Sequence, residues 1–292
     1  MGEQCAPSGV IEVISERLWI NPVGGMGDML MVAGVLKQAI ERDHIRRFNL
    51  VRRSAYRKIF QGHPAIQEIG FPPSGAHIIG TDYWRYELDN PVPRPYQTLA
   101  RLFGLTSLIE EIPYFPGPVE IDPLLEEKIP WGKKNIIIAA GSDSQRKMMT
   151  LDRWEQLTRQ LTADGFSVIQ TGRLHETRVR NAISLLGLTT IGELIAIIRR
   201  ADGVITLDTL AMHAVRLTET PAIVLWGPTD PTVYGYLGQR HLSATPRCEK
   251  WNQCLSARTP KNYGKPCPFG DNRCINRIPL KDIRSAVHEA VE

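Results

Sequence analysis

From residue 135 to residue 226 the chain alternates short apolar runs with longer amphipathic stretches, and that alternation admits few folds. The runs are Asn135–Ala140, Phe166–Gln170, Val204–Leu207 and Ala222–Leu225. Strands of this kind are expected to lie in parallel sheets covered by helices. Thr150–Ala163 predicts one such helix, with Trp154, Leu157 and Leu161 on a common face and Gly165 to stop it. Glu176–Leu186 predicts a second. Thr190 and Glu193 have the spacing of a capping box at the head of a third, Ile191–Arg200. A fourth is expected over about 210–217. Pro279 opens a last one, in which Leu280, Ile283, Val287 and Ala290 share a face. This is the outline of a doubly wound nucleotide-binding domain.

The first half is harder to read. Leu18-Trp19-Ile20 predicts a strand, followed by a glycine-rich turn and a helix from Asp28 to Ile40 that is apolar on most sides and so lies deep. Residues 71–118 are rich in proline and glycine and predict loops with one helix, Gln97–Phe103. Ile121–Lys134, punctuated by Pro123, Pro130 and Gly132, reads as a linker. The expected division is a first Rossmann-like domain over 1–128, a second over 129–278 that includes a cysteine-rich loop at 247–275, and a terminal helix over 279–292.

With 42% apolar and 23% charged residues, the composition is that of a folded soluble chain. No run of 18 apolar residues is available to span a bilayer, and Met1–Pro7 lacks the basic and apolar parts of a secretory signal. A cytoplasmic protein is expected. Basic residues crowd one stretch: Lys37, Arg42, Arg46, Arg47, Arg52, Arg53, Arg57 and Lys58 stand against only Glu41 and Asp43. They form either a solvated face or an attraction for an anionic glycolipid or membrane surface. Only Phe48 and Tyr56 interleave with them, so no stacking platform for nucleic acid is expected.

Three strand-to-helix turns can carry chemistry. In Gly24-Gly25-Met26-Gly27-Asp28 the glycines permit close backbone approach, and Asp28 sits at a helix N-terminus. The dinucleotide fingerprint G-x-G-x-x-G is absent there. Gly141-Ser142-Asp143-Ser144-Gln145-Arg146-Lys147 offers a cation and hydrogen-bond donors to a diphosphate without being a P-loop. Leu207-Asp208-Thr209-Leu210-Ala211-Met212-His213 places backbone N–H groups at a helix start, with His213 equally readable as a packing residue. The turn Trp226-Gly227-Pro228-Thr229-Asp230-Pro231 follows the next strand.

Their joint order resembles glycosyltransferase family 9, the lipopolysaccharide heptosyltransferase family. The matching residues are Gly27-Asp28 with Leu30, Lys147 with Arg153-Trp154, Thr171-Gly172 with Glu176, Asp208-Thr209 with Met212-His213, and Gly227-Pro228-Thr229-Asp230-Pro231. His63-Pro64-Ala65-Ile66 is a further shared feature. The resemblance implies a GT-B architecture, an α/β fold of two Rossmann-like domains facing across a cleft. It implies metal-independent, inverting transfer of a sugar, heptose from ADP-heptose, to an anionic glycan or glycolipid such as lipopolysaccharide core, at the inner face of the cytoplasmic membrane. Asp28 would be the base and Lys147 the diphosphate cation. Gly27, Ser142, Asp208, Thr209, Leu210, Ala211, Met212 and His213 would line the donor site. Glu176 would hold the ribose, and Leu188, Thr189 and Thr190 the base. Leu210 replaces a common glycine and the first domain is short, which motivates an alternative, a catalytically weak binding or assembly subunit.

Cys248, Cys254, Cys267 and Cys274 are separated by five, twelve and six residues, without a Cys-x-x-Cys pair. Four thiolates in one loop suit a structural Zn or Fe site. Inert thiols are the other reading, and disulfides are disfavoured in a reducing compartment.

Overall fold

The structure is a computed structural model that describes residues 18–43, 47–52, 56–88, 93–105, 109–255 and 264–291. Arg46 and Arg53 of the basic stretch, Cys5, and positions 256–263 of the cysteine-rich loop lie outside them. The chain divides into two compact units, Met1–Tyr83 with Pro95–Gly117, and Trp84–Arg94 with Pro118–Glu292. Both are α/β, built on parallel sheets. No helix among the described residues is long and apolar enough to cross a membrane.

In the first unit β1 (Leu18–Asn21) leads into helix α1 (Met26–Asp43), followed by β2 (Phe48–Val51), β3 (Ile66–Gly70), β4 (His77–Gly80) and α2 (Pro95–Leu102). The four strands are parallel in the order β3-β2-β1-β4. As its apolar character predicts, α1 is buried along most of its length, from Met29 through Ala39. The expectation of loops over 71–118 is corrected at one place, since β4 pairs with β1 over all four residues. His77 and Ile78 are exposed, so that strand lacks the apolar signature that marks a covered one.

The second unit holds β5 (Asn135–Ala139), α3 (Leu151–Ala163), β6 (Ser167–Gln170), β7 (Ile183–Ser184), α4 (Ile191–Arg200), β8 (Gly203–Leu207), α5 (Leu210–Val215), β9 (Ala222–Trp226), β10 (Arg240–Ser243) and α6 (Leu280–Val291). Its parallel sheet runs β10-β9-β8-β5-β6-β7, the doubly wound order with the reversal at β5 and β8. Ile136, Ile138, Ile205, Leu207, Ile223 and Leu225 form one core with Trp154, Leu157 and Leu161 of α3 and Ile283 and Val287 of α6. The Thr190–Glu193 capping box is formed in both directions. The helix expected over Glu176–Leu186 is absent. Asn181 takes a left-handed φ of 65°, which ends any helical run, and Ile183–Ser184 pairs with β6 instead. The Gln170 side chain supplies local bonds in its place, donating to the Thr177 carbonyl (2.9 Å) and accepting from the Val179 N–H (2.8 Å).

His63 ties the first unit together. Its Nδ1 accepts the Ala65 N–H at 3.0 Å, which leaves the proton on Nε2 to be donated to the Ala33 carbonyl of α1 at 2.8 Å. Burial holds its pKa down at about 4, against 6.5 for a free imidazole. The folded state therefore resists protonation, and the contribution is complete above pH 6.5 and is lost as pH falls from 6.5 towards 4. From this group alone, about 3 kcal/mol of stability should disappear over that window. Urea unfolding at pH 7 and pH 4.5 should show a smaller acid loss for His63→Gln than for the wild type; equal losses would remove His63 from the account.

Candidate functional site

In an open parallel sheet, ligands bind beyond the carboxyl ends of the strands, where the chain order reverses. In the second unit that point lies between β5 and β8, and the residues leaving these strands meet there. Lys147, on a 3-10 turn after β5, places its Nζ 2.7 Å from the Asp208 carboxylate after β8 and 3.2 Å from the Asp208 carbonyl. The side chains are 16% and 11% exposed, so this is a largely dehydrated ion pair. Thr229, from the Gly-Pro-Thr-Asp-Pro turn after β9, donates its hydroxyl to the same carboxylate at 2.8 Å. Burial pushes the Asp208 pKa up, but the Lys147 charge and hydrogen bond and the Thr229 hydroxyl outweigh it and bring the carboxyl below its ordinary value.

Glu176 completes this edge. Its carboxylate lies against bare backbone, since a Cβ on Gly141 would stand 2.0 Å from Oε2 and one on Gly172 2.3 Å away. Both glycines are therefore required for the carboxylate to lie there. Oε1 accepts from Arg173 Nε at 3.2 Å, whereas Oε2 is buried without a hydrogen-bond partner among the described residues. Native proteins seldom leave a buried acceptor unmatched unless a ligand or water meets it. In the loop after β7 Leu188 is half exposed, with Thr189 partly buried and Thr190 occupied as the cap of α4.

The remaining sequence-predicted residues are placed less directly. Ser142 accepts the Ser144 N–H at 3.2 Å and shapes its own turn. Thr209 precedes α5 in an extended conformation with no side-chain cap, while the Met212 N–H is taken by the Thr209 carbonyl at 3.1 Å. Ala211 and Met212 bury their side chains, and Leu210 is partly buried. His213 is buried and meets the Tyr236 hydroxyl through Nδ1 at 2.8 Å.

The first unit repeats the plan at its own reversal, between β1 and β4. Gly27 is buried in the first turn of α1. Asp28 Oδ2 accepts the Gly25 N–H at 2.6 Å, and Oδ1 accepts the Tyr83 hydroxyl at 2.7 Å. Tyr83, just after β4, is missed by sequence reading because no local motif marks it. Thr81 is missed for the same reason. It is fully buried, and its hydroxyl binds the Val23 N–H (2.7 Å) and carbonyl (2.9 Å), fixing the turn that leads to Asp28. Tyr56 adds a hydroxyl bond to the Gly24 carbonyl.

The Lys147–Asp208 pair makes a measurable demand on stability. Removing one member leaves the other charge buried, at a cost of about 3 kcal/mol, whereas removing both relieves it. Asp208→Asn and Lys147→Met should each destabilise the chain, and the double variant should be less destabilised than the sum of the two. Additive effects in a urea-unfolding double-mutant cycle would show that the pair does not act as a unit.

Residues 121–262 match the family model described as Glycosyltransferase family 9 (heptosyltransferase). Among solved structures, a glycosyl transferase family 9 protein from Veillonella parvula superposes with a TM-score of 0.65 at 13% identity, covering 94% of this chain and 97% of that one. The iron-containing dodecameric glycosyltransferase TibC from enterotoxigenic E. coli gives 0.70 at 15% identity over 94% of this chain and 76% of its own. The E. coli heptosyltransferase WaaC, solved with ADP, gives 0.56 at 14% identity over 94% and 97%. No curated protein matches the sequence. The two parallel-sheet units have the α/β fold of GT-B glycosyltransferases, and the resemblance to glycosyltransferase family 9 (heptosyltransferase) is carried in sequence by residues 121–262.

Proposed function

We propose that this protein is an inverting glycosyltransferase that moves heptose from ADP-heptose to a glycan or glycolipid acceptor such as lipopolysaccharide core. The observation that carries the reading is the buried, unpartnered Glu176 oxygen on the same sheet edge as the Lys147–Asp208 pair. A carboxylate acceptor for ribose hydroxyls and a cation for a diphosphate are the two groups that a nucleotide-diphosphate sugar needs. WaaC is solved with ADP and TibC with ADP-D-beta-D-heptose, which favours adenine as the base.

In this reading the diphosphate takes Lys147 from its contact with Asp208, and the N–H groups at the start of α5 add a share of the charge stabilisation. Ser142 adds a hydrogen bond, and Leu188 to Thr190 border the base. Asp28 takes the proton of the acceptor hydroxyl as that oxygen attacks the anomeric carbon opposite the leaving ADP, and the configuration inverts. Two of the carboxylate's roughly four acceptor positions are used by Gly25 and Tyr83, which fix its direction and leave room for a hydroxyl. The transfer needs no metal, because Lys147 and the backbone carry the leaving group's charge.

The acceptor is proposed to be anionic and to be met at the inner face of the cytoplasmic membrane through residues 37–58. Within that stretch Lys37 pairs with Glu41 and Arg42 with Glu110. Arg52 and Arg57 line a surface hollow of about 400 Å³ with Gln61, Gln67 and Glu68.

The four cysteines are proposed to hold a structural Zn or Fe. They come close enough that the other three, after burial, push the Cys274 thiol up to about 12. Among the described residues no three metal-binding side chains are arranged around a common point. Four thiols are a donor set that suits a soft metal, and here they are free cysteines. Protein purified without chelators should carry about one equivalent of Zn or Fe per chain, lost in a Cys267→Ser/Cys274→Ser variant. Metal content well below this in the wild type would rule the site out.

Ligand specificity tests the donor reading. ADP at about 100 times its Kd should stabilise the wild type by about 2.7 kcal/mol in a thermal-shift series, with UDP, GDP and NAD giving less. Lys147→Ala should weaken the ADP response and slow transfer by about 100- to 1,000-fold. Asp28→Asn should bind ADP as the wild type does and fail to transfer. Selective stabilisation by UDP or GDP would discard ADP-heptose, and normal transfer by Asp28→Asn would remove Asp28 as the base.

A further inference from the structure

Arg146, the neighbour of Lys147, is buried, yet it points away from the donor edge and under the cysteine-rich segment. Its Nε donates to the carbonyls of Lys265 (2.9 Å) and Pro266 (3.0 Å), and its Nη1 donates to the carbonyl of Cys254. These acceptors lie on two different arms of the segment, one before positions 256–263 and one after. A planar guanidinium fork is suited to bridging them, which an ammonium is not.

The contacts continue around the turn that bears Lys147. Asn272 Nδ2 donates to the carbonyls of Gln145 (2.7 Å) and Met148 (2.9 Å), holding the turn from both ends. Gly227 also packs onto it. A Cβ there would meet the Arg146 carbonyl at 3.4 Å, the Lys147 Cα at 3.6 Å and the Cys274 Sγ at 3.7 Å. The Asn252 N–H in turn binds the Pro228 carbonyl at 3.0 Å, just before the Thr229 that bonds Asp208. Both the turn that presents Lys147 and the turn that presents Thr229 therefore rest on the segment that carries the four cysteines.

We infer that Arg146 is a positioning residue that couples the cysteine-rich segment to the diphosphate-binding lysine, so that the state of the segment sets nucleotide affinity and bound nucleotide protects the cysteines. This rests on the donor reading above. Coupling between two sites is reciprocal, so it can be read from either end.

The test uses ADP as the probe on the full chain, with Lys147→Ala, Arg146→Lys and Arg146→Met. ADP affinity and the alkylation rate of each cysteine, read by peptide mass spectrometry with and without ADP, are measured for every protein. In the wild type, ADP should slow alkylation of Cys254 and Cys274 at least several-fold. Arg146→Lys should keep the charge and stay folded, yet bind ADP at least tenfold more weakly and lose most of that protection. A merely structural role would raise alkylation equally with and without ADP and leave the ratio untouched. Arg146→Lys binding ADP within twofold of the wild type, with protection intact, would overturn the inference. If neither Arg146 variant folds, the wild type still decides, because binding of ADP without any protection of Cys254 or Cys274 refutes the coupling. Wild type that is folded but binds no ADP would bring down the donor reading first, and this inference with it.

Discussion

The pairing of β5 with β8 governs the second unit. Four residues of each strand are in parallel register, Ile136 with Gly203 through Ala139 with Thr206, and both strands are buried on both faces. A parallel pair cannot be joined by a tight hairpin, so each strand must leave its carboxyl end through a crossover. From β5 the chain goes towards β6 and β7; from β8 it goes towards β9 and β10. The two exits diverge and leave an opening between them. Lys147 and Asp208 stand in that opening because the topology ends their strands there. Their ion pair is a consequence of the position: a largely buried cation needs a partner, and an adjacent carboxylate that also accepts a hydroxyl supplies one.

The first unit follows the same logic with different chemistry. Its reversal lies between β1 and β4, and there the pair is a carboxylate and a phenol, Asp28 and Tyr83, instead of two opposite charges. A neutral donor orients the carboxylate without neutralising it. Thr81 and Tyr56 then fix the loop backbone rather than the carboxylate itself. The direction of Asp28 is thus set by Gly25 nearby and by Tyr83, 55 positions away in sequence, although its presence at a helix start is a local matter.

This distinction between local and distant determinants explains what the sequence discloses. Strands β5, β6, β8 and β9 and helices α3, α4 and α6 are legible because their apolar periodicity and caps are written within a single element. The turns that follow the strands are legible as glycine-rich or Asp-Thr motifs. Residues 176–186 mislead, because Val179, Ala182, Leu185 and Leu186 imitate a helical face, whereas the Gln170 side chain and the pairing of β7 with β6 settle the backbone. β4 is hidden by its exposed residues, and Tyr83, Thr81 and Arg146 are hidden because their partners are distant in the chain. The unpartnered Glu176 oxygen is a property of packing against two glycines and has no sequence signature of its own.

Two consecutive cations, Arg146 and Lys147, would present a problem at a dehydrated strand end if both faced the opening, since Asp208 offers one carboxylate. The turn separates them. Lys147 faces Asp208, and Arg146 is turned beneath the cysteine-rich segment, where backbone carbonyls take its donors. Carbonyl dipoles solvate a guanidinium without adding a second negative charge near the place where an anionic ligand would sit. The segment cannot supply those carbonyls unless both of its arms are held in place, and buried Leu255 on one arm and Cys274 and Ile275 on the other anchor them. Asn272, the buried Cys274 against Gly227 and the Arg146 fork tie it to the turn that bears Lys147. The cation and the segment are therefore each other's condition. Without the segment Arg146 is a buried charge lacking partners, and without Arg146 the two arms lose the group that joins them.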